Sequence, residues 1–350
     1  MTSIRRPPSP QSPPDWLIGL LIALAITGLF SLIQYFLDQQ RYETAIQSYE
    51  IAECDIASQK FKQIINTFRV FDFGQYVSRA NEKKAECDFF QDAVDDQEEG
   101  MLDSALLNYA KLATYETSPL LEYARRNLRE LFQKSSVETE TLATLDVCNR
   151  LGILTEKNLL PSSDPNAQSI YPSCGKTYEI DKNYEEAISI YEQFLKMYPN
   201  HPLIEDVKRS LARTTITQIK KEEEERYIES PVRTGVTADG STVVEIQNSS
   251  PAEMRIIFSG TTPKFEELED CDECQKYIRE PPEFCTGDGP IGRYTLEPGE
   301  YEIAIKLKAN DGKPVNPWAG NWNLERGAEY KSCFFITQDS QDDFNKEDSF

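Results

Sequence analysis

The chain has 350 residues, 39% of them hydrophobic, and a formal net charge of -22 at pH 7. Such a length supports a membrane segment plus two globular domains, whereas the acidic balance argues against phosphate backbones and anionic lipid surfaces, so no nucleic-acid partner is expected. The single histidine, His201 in YPNHPLIED, leaves little room for chemistry built on a His base or a His-ligated metal.

In chain order, residues 1–15 contain TSIRRPPSPQSPPD, too rich in proline to build a core, and are expected to be a disordered tail; a proline-motif ligand is the other use of such a stretch. Residues 16–37, WLIGLLIALAITGLFSLIQYFL, carry no charge and one strongly polar side chain, Gln34. At about 1.5 Å per residue they cover the ~30 Å core of a bilayer, which predicts a transmembrane helix with lipid as its partner. A cleaved signal peptide is the rival reading, since Arg5 and Arg6 precede an apolar run. The run is longer than the roughly 7 to 15 residues of a signal core, and no A-x-A-like site follows in SLIQYFLDQQ. Arg5 and Arg6 on the short side, against mixed Asp38, Arg41 and Glu43 on the other, place the amino terminus in the cytoplasm. The body is then expected outside it, in a periplasm or thylakoid lumen. No Pro or Gly interrupts Asp38 to Arg41, so the helix is expected to continue into Tyr42–Glu53.

Residues 38–225 are rich in helix formers with apolar spacings of three and four, which predicts a helical domain followed by a charged linker. Tyr171, Cys174, Gly175, Tyr178, Ala187, Tyr191 and Pro199, in YPSCGKTYEIDKNYEEAISIYEQFLKMYP, mark one helical hairpin. This unit resembles the tetratricopeptide pattern W-x2-L-G-x2-Y…A-x3-F…P, with Tyr171 in the Trp place and Cys174 in the Leu place. Leu102, Ala105 and Tyr109, and also Cys54, Ala57 and Phe61, repeat the spacing of Tyr184, Ala187 and Tyr191. Twelve residues before each alanine stands a small residue, Ala45, Ala93 or Gly175, as two closely crossing helices require. Unequal distances between the alanines exclude a strict 34-residue array. The expectation is a divergent tetratricopeptide-like solenoid with extra helix around Val137–Leu160 and a loop at PSSDPNAQS. The resemblance implies a non-enzymatic scaffold that holds partner proteins of unknown identity.

After Arg213, ITQIKKEEEERYIESP reads as a charged helix end or linker with a solvated face. From residue 235 to 337 the pattern changes to strands, in STVVEIQNSS, AEMRIIFSG, RYTLEPGEYEIAIKLKANDGKP and AEYKSCFFITQ, with turns at PGE and NDG. Strands without intervening helices predict a small antiparallel β-sandwich, so the fold class is multidomain α plus β. Its Cys-bearing loop, LEPGEY, NPWAGNWNL and SCFFI resemble β-domains attached to membrane-anchored repeat proteins of bacteria. Residues 338–350 read as an acidic disordered tail.

Eight cysteines, an even number, suit an oxidising compartment. If the helix after Cys54 is followed by an antiparallel one, Cys87 returns to the level of Cys54, which predicts a bridge. Cys148 with Cys174 would close the loop containing PSSDPN. Free, small core residues are the other reading of Cys54 and Cys174. Cys271, Cys274, Cys285 and Cys333 are read as two disulfides, with Cys271 and Cys274 each fastened to Cys285 or Cys333. Structural zinc and a C-x-x-C redox centre are the alternatives; the second pair lacks C-x2-C spacing, and Asp272 and Glu273 would oppose a thiolate. No cofactor, metal or catalytic residue is assigned. Trp318 and Trp322 are candidate surface aromatics for a saccharide or a protein, although packing into a core is the commoner use of such residues.

Overall fold

A computed structural model describes residues 15–69, 71–133, 138–221, 226–274, 277–278, 289–309 and 317–338. Cys285, the NDG turn at 310–312, residues 222–225 and nearly all of the two expected tails lie outside the described residues. Within them the chain forms two compact units. One comprises the chain from its first helix to Leu142 with Asp146–Ala167; the other comprises Ala143–Leu145 and the chain from Gln168 onward.

The first unit opens with α1 (Asp15–Glu50), one unbroken helix. Its first half is exposed, and it is long and apolar enough to span a membrane. With no Pro or Gly at 38–41 nothing stops it, and farther on Tyr42, Ala45 and Tyr49 turn into a core. Then come α2 (Cys54–Asn66), α3 (Tyr76–Glu99), α4 (Leu102–Leu112) and α5 (Leu120–Gln133). The short helices α6 (Thr139–Leu142), α7 (Leu145–Cys148), α8 (Leu151–Glu156) and α9 (Pro165–Gln168) come next in the chain, and α10 (Ile170–Ile180), α11 (Tyr184–Met197) and α12 (Ile204–Lys221) belong to the second unit.

Three hairpins, α1/α2, α3/α4 and α10/α11, share one turn. Ala52, Gly100 and Lys182, each five residues before the hairpin alanine, have φ of 60°, 81° and 62°. The next amide in each donates to a carbonyl five residues back: Glu53 to Ser48 at 2.9 Å, Met101 to Asp96 at 2.8 Å and Asn183 to Tyr178 at 2.9 Å. This left-handed turn reverses the chain and satisfies carbonyls at the helix end. The small residues then allow the helices to cross closely. Ala45, Ala93, Ala57, Ala105 and Ala187 are fully buried, and a Cβ on Gly175 would lie 2.2 Å from the Tyr191 ring.

In the second unit the strands are β1 (Arg226–Tyr227), β2 (Val232–Val236), β3 (Thr242–Asn248), β4 (Ala252–Ser259), β5 (Lys264–Leu268), β6 (Tyr277–Ile278), β7 (Ile291–Leu296), β8 (Gly299–Ala309), β9 (Trp318–Leu324), β10 (Ala328–Phe334) and β11 (Thr337–Gln338). They form a five-stranded sheet in the order β1-β9-β8-β4-β5, a four-stranded sheet β2-β10-β3-β7 and a pair β11-β6. The expected all-antiparallel arrangement is replaced by a mixed one, because β3 with β10, β1 with β9 and β6 with β11 run parallel. Residue alternation specifies which face is buried but carries no information on strand direction.

Met254, Ile256, Phe258, Ile303, Ile305 and Trp322 from the larger sheet meet Val244, Ile246, Tyr294 and Tyr330 from the smaller in one core. The intervening residues Ile257, Ala304 and Ala319 point to the opposite face, where Ala212, Ile216 and Ile219 of α12 cover them. The ITQIK stretch expected to be a solvated linker is therefore partly core. Its charged residues mask an apolar stripe of period near four, and only the sheet face reveals what that stripe packs against.

Candidate functional site

The strongest chemical constellation lies where β3, β4, β5 and β10 converge at one edge of the second unit. Cys271 and Cys274 follow β5 and are bonded to each other, not to two separate partners. This corrects the expectation that each is fastened to Cys285 or Cys333. A turn in which the Cys274 amide donates to the Cys271 carbonyl at 3.0 Å brings the two residues together. Cys333 on β10 is also disulfide-bonded, and Cys285 lies outside the described residues. In the bonded state neither Cys271 nor Cys274 has a thiolate to offer zinc.

A buried polar knot fixes this edge. Asn248, at the end of β3, donates through Nδ2 to the Ala252 carbonyl at 2.8 Å and the Glu269 carbonyl at 2.7 Å. Its Oδ1 accepts from the Ser250 amide at 3.1 Å and hydroxyl at 2.7 Å. The Ser250 carbonyl takes the Cys271 amide at 3.0 Å, and the Ser249 amide donates to Phe334 at 2.9 Å. The Asn248–Ser250 turn, braced by the asparagine side chain, thus ties the C-x-x-C loop to the strand carrying Cys333. QNSSP reads in sequence as a strand end and turn, which accounts for the local bonds among Asn248, Ser250 and Ala252; the bonds to Glu269, Cys271 and Phe334 come from segments farther along the chain. Cys271 is buried and Cys274 half-buried, while Asp272 and Glu273 are exposed.

Trp318 and Trp322 are not surface aromatics. Trp322 is 1% exposed, its Nε1 donating to the Glu229 carbonyl at 2.9 Å, and its ring lies 6.3 Å from that of Phe258. Trp318 lies 6.1 Å from the Phe334 ring within the same core. Both face inward because they occupy alternate positions on β9. No stacking platform for a sugar remains at these residues.

The expected Cys54–Cys87 bridge is absent; both are free, buried thiols. The two residues do lie at one level: the Cys87 side chain bonds that of Cys54 and, with burial, pushes the Cys54 thiol far above its ordinary range. A thiol held so firmly protonated is a poor nucleophile. Cys148 and Cys174 are both disulfide-bonded and buried. His201 accepts the Leu203 amide on Nδ1 at 3.2 Å and packs on Phe194, a structural post before α12.

Helix interiors hold a second set of polar groups with a shared register. Tyr109 donates to Gln97 at 2.8 Å and Tyr191 to Glu179 at 2.7 Å, each to the residue twelve earlier. In the first hairpin the aromatic is Phe61, and the residue twelve before it is Tyr49, whose hydroxyl instead donates to fully buried Glu86. Lys83 donates to the other oxygen of Glu86 at 2.7 Å, and Ser118 lies 3.2 Å from the Tyr49 hydroxyl. Burial, followed by the bond to Glu86, pushes the Tyr49 hydroxyl pKa strongly upward. Every member of this cluster has a partner, so it reads as a locked joint between helices.

No family model matches the chain, and no curated protein matches it.

Proposed function

We propose that the protein is a single-pass, membrane-anchored, non-enzymatic scaffold whose helical hairpins and β-domain bind partner proteins. The observation that carries this reading is α1, whose exposed apolar half continues without a break into the first hairpin. An anchor continuous with the binding body orients that body at the bilayer. The common turn and small crossing residues of the three hairpins support the tetratricopeptide-like assignment. The shared core of the two sheets supports the sandwich. Basic Arg5 and Arg6, with the disulfides, favour a cytoplasmic amino terminus and a body in an oxidising compartment. Crosslinking in native membranes, followed by identification of captured neighbours, is expected to return a reproducible protein set. Recovery of lipid adducts alone would remove the scaffold reading, and digestion of the body only from the cytoplasmic side would reverse the orientation.

The Cys271–Cys274 disulfide favours a second reading, thiol–disulfide exchange. A partner dithiol would attack Cys274, the more accessible sulfur, and release Cys271 as thiolate; the partner's second thiol would resolve the mixed disulfide, leaving the partner oxidised and both cysteines reduced. Asp272 and Glu273 oppose the leaving thiolate and rank this reading second. Oxidation of a reduced test peptide at a rate abolished by Cys274→Ser would reverse the ranking.

A further inference from the structure

We propose that the segment joining α2 to α3 enters the bilayer beside α1, and that the apolar groove between them takes a phospholipid acyl chain. This rests on the membrane-anchored reading and extends it from one contact with lipid to two.

Phe68, Phe71 and Phe73 in this short segment are 79%, 56% and 67% exposed. Three phenylalanines facing water in one connection is unusual for a soluble surface. A groove of about 440 Å³ is lined by Gly28, Ser31, Leu32 and Tyr35 of α1 and by Phe71 and Phe73. Those α1 positions belong to the apolar run that ends at Leu37. At about 1.5 Å per residue, Tyr35 to Gly28 lie roughly 3 to 14 Å below the end of that run, within one leaflet of a ~30 Å core. A helix that spans the bilayer therefore carries these phenylalanines into hydrocarbon with it.

The two charged side chains of the segment, Arg69 and Asp72, are paired within the protein. Arg69 pairs with buried Asp38 at 3.2 Å, and Gln34 donates to the same carboxylate at 3.3 Å. That cluster pins the segment to α1 near the end of the apolar run. Asp72, between the phenylalanines, accepts the Tyr76 amide at 2.9 Å and the Val77 amide at 3.0 Å, so its charge serves the start of α3. Tyr35 stacks near Tyr76 at 5.7 Å, closing the groove towards the body. Aromatic faces outward with charges paired inward suit the boundary of a membrane and not a folded protein partner, which would need matching polar contacts at its rim.

The test uses the full chain in phosphatidylcholine vesicles with plain or mid-chain-brominated acyl tails, since bromine quenches only an indole in contact with the tails. Trp318 and Trp322 are buried and serve as constant background. Three forms are compared: wild type, Trp16→Phe, and Trp16→Phe with Phe73→Trp. The indole introduced by Phe73→Trp is expected to emit to the blue of water-exposed tryptophan and to lose most of its emission in brominated vesicles. Quenching of Trp16 in the wild type without quenching of that indole overturns this inference alone. Absence of quenching at Trp16 as well, with the protein released from vesicles by alkaline carbonate, overturns the anchored reading on which it rests. Phe73 is exposed and outside any core, so the substitution leaves folding undisturbed; Phe71→Trp provides an independent second reporter.

Discussion

At the residue scale, the Tyr49–Glu86 pair decides how the first unit tolerates change. Glu86 is fully buried with Tyr49 and Lys83 as donors, so removing it strands both. Glu86→Ala is expected to lower stability by about 3 kcal/mol and Tyr49→Phe by about 1 to 2 kcal/mol. Tyr49→Phe combined with Glu86→Ala should fall short of the sum in chemical denaturation, because the two residues share one interaction. The free thiols make a separate prediction. After denaturation without reductant, alkylation and peptide mass analysis should label Cys54 and Cys87 and leave Cys148, Cys174, Cys271, Cys274 and Cys333 unlabelled. Label at Cys271 or Cys274 would contradict the bridge between them.

At the scale of elements, the hairpin turn is a repeated device filled by different residues. Gly100 suits its φ of 81°, whereas Ala52 and Lys182 hold φ of 60° and 62° against the steric preference of L residues. Ala52→Gly and Lys182→Gly are expected to be neutral or to stabilise by up to about 1 kcal/mol, and Gly100→Ala to destabilise by about 1 kcal/mol. Thermal melts of the three single variants check the sign at each turn. Destabilisation by Ala52→Gly or Lys182→Gly, or stabilisation by Gly100→Ala, would indicate that the turns are not one device. The α12 stripe is a second element-scale feature, since it makes a helix next to the strands part of their support.

At the scale of the whole molecule, that support sets where the chain can be cut. A fragment of residues 226–350 follows the change from helix to strand pattern but bares Ile257, Ala304 and Ala319. Residues 168–350, with Cys174→Ala to avoid a loose thiol, retain α12 and should be soluble and melt cooperatively, whereas 226–350 should aggregate. Sedimentation and calorimetry of both fragments decide. Alkali offers a further test. Burial pushes both Tyr109 and Tyr294 up to about 12. The neutral hydroxyl is the form favoured by folding, so this contribution is complete below the unfolded pKa near 10 and is lost as pH rises through the folded value. Tyr109 should contribute up to about 3 kcal/mol of pH-dependent loss and Tyr294 less, and Tyr109→Phe should remove its share from the stability profile between those limits.

The sequence by itself determined the features that follow from local period and composition. An uncharged run of apolar residues can only be exposed to lipid or buried on all sides, and spacings of three and four, or two, mark helix and strand. Ala45, Ala93 and Gly175 were legible as crossing points because close helix approach admits only small side chains. Tertiary structure decided what depends on partners far along the chain. Strand direction, the burial of Trp318 and Trp322, the pairing of Cys271 with Cys274 and the free state of Cys54 and Cys87 all required knowing which groups meet. The groove along α1 belongs to the same category, since neither the apolar run nor the phenylalanines near residue 70 announces the other. Periodicity constrains the face each residue presents, and only the folded chain supplies what that face touches.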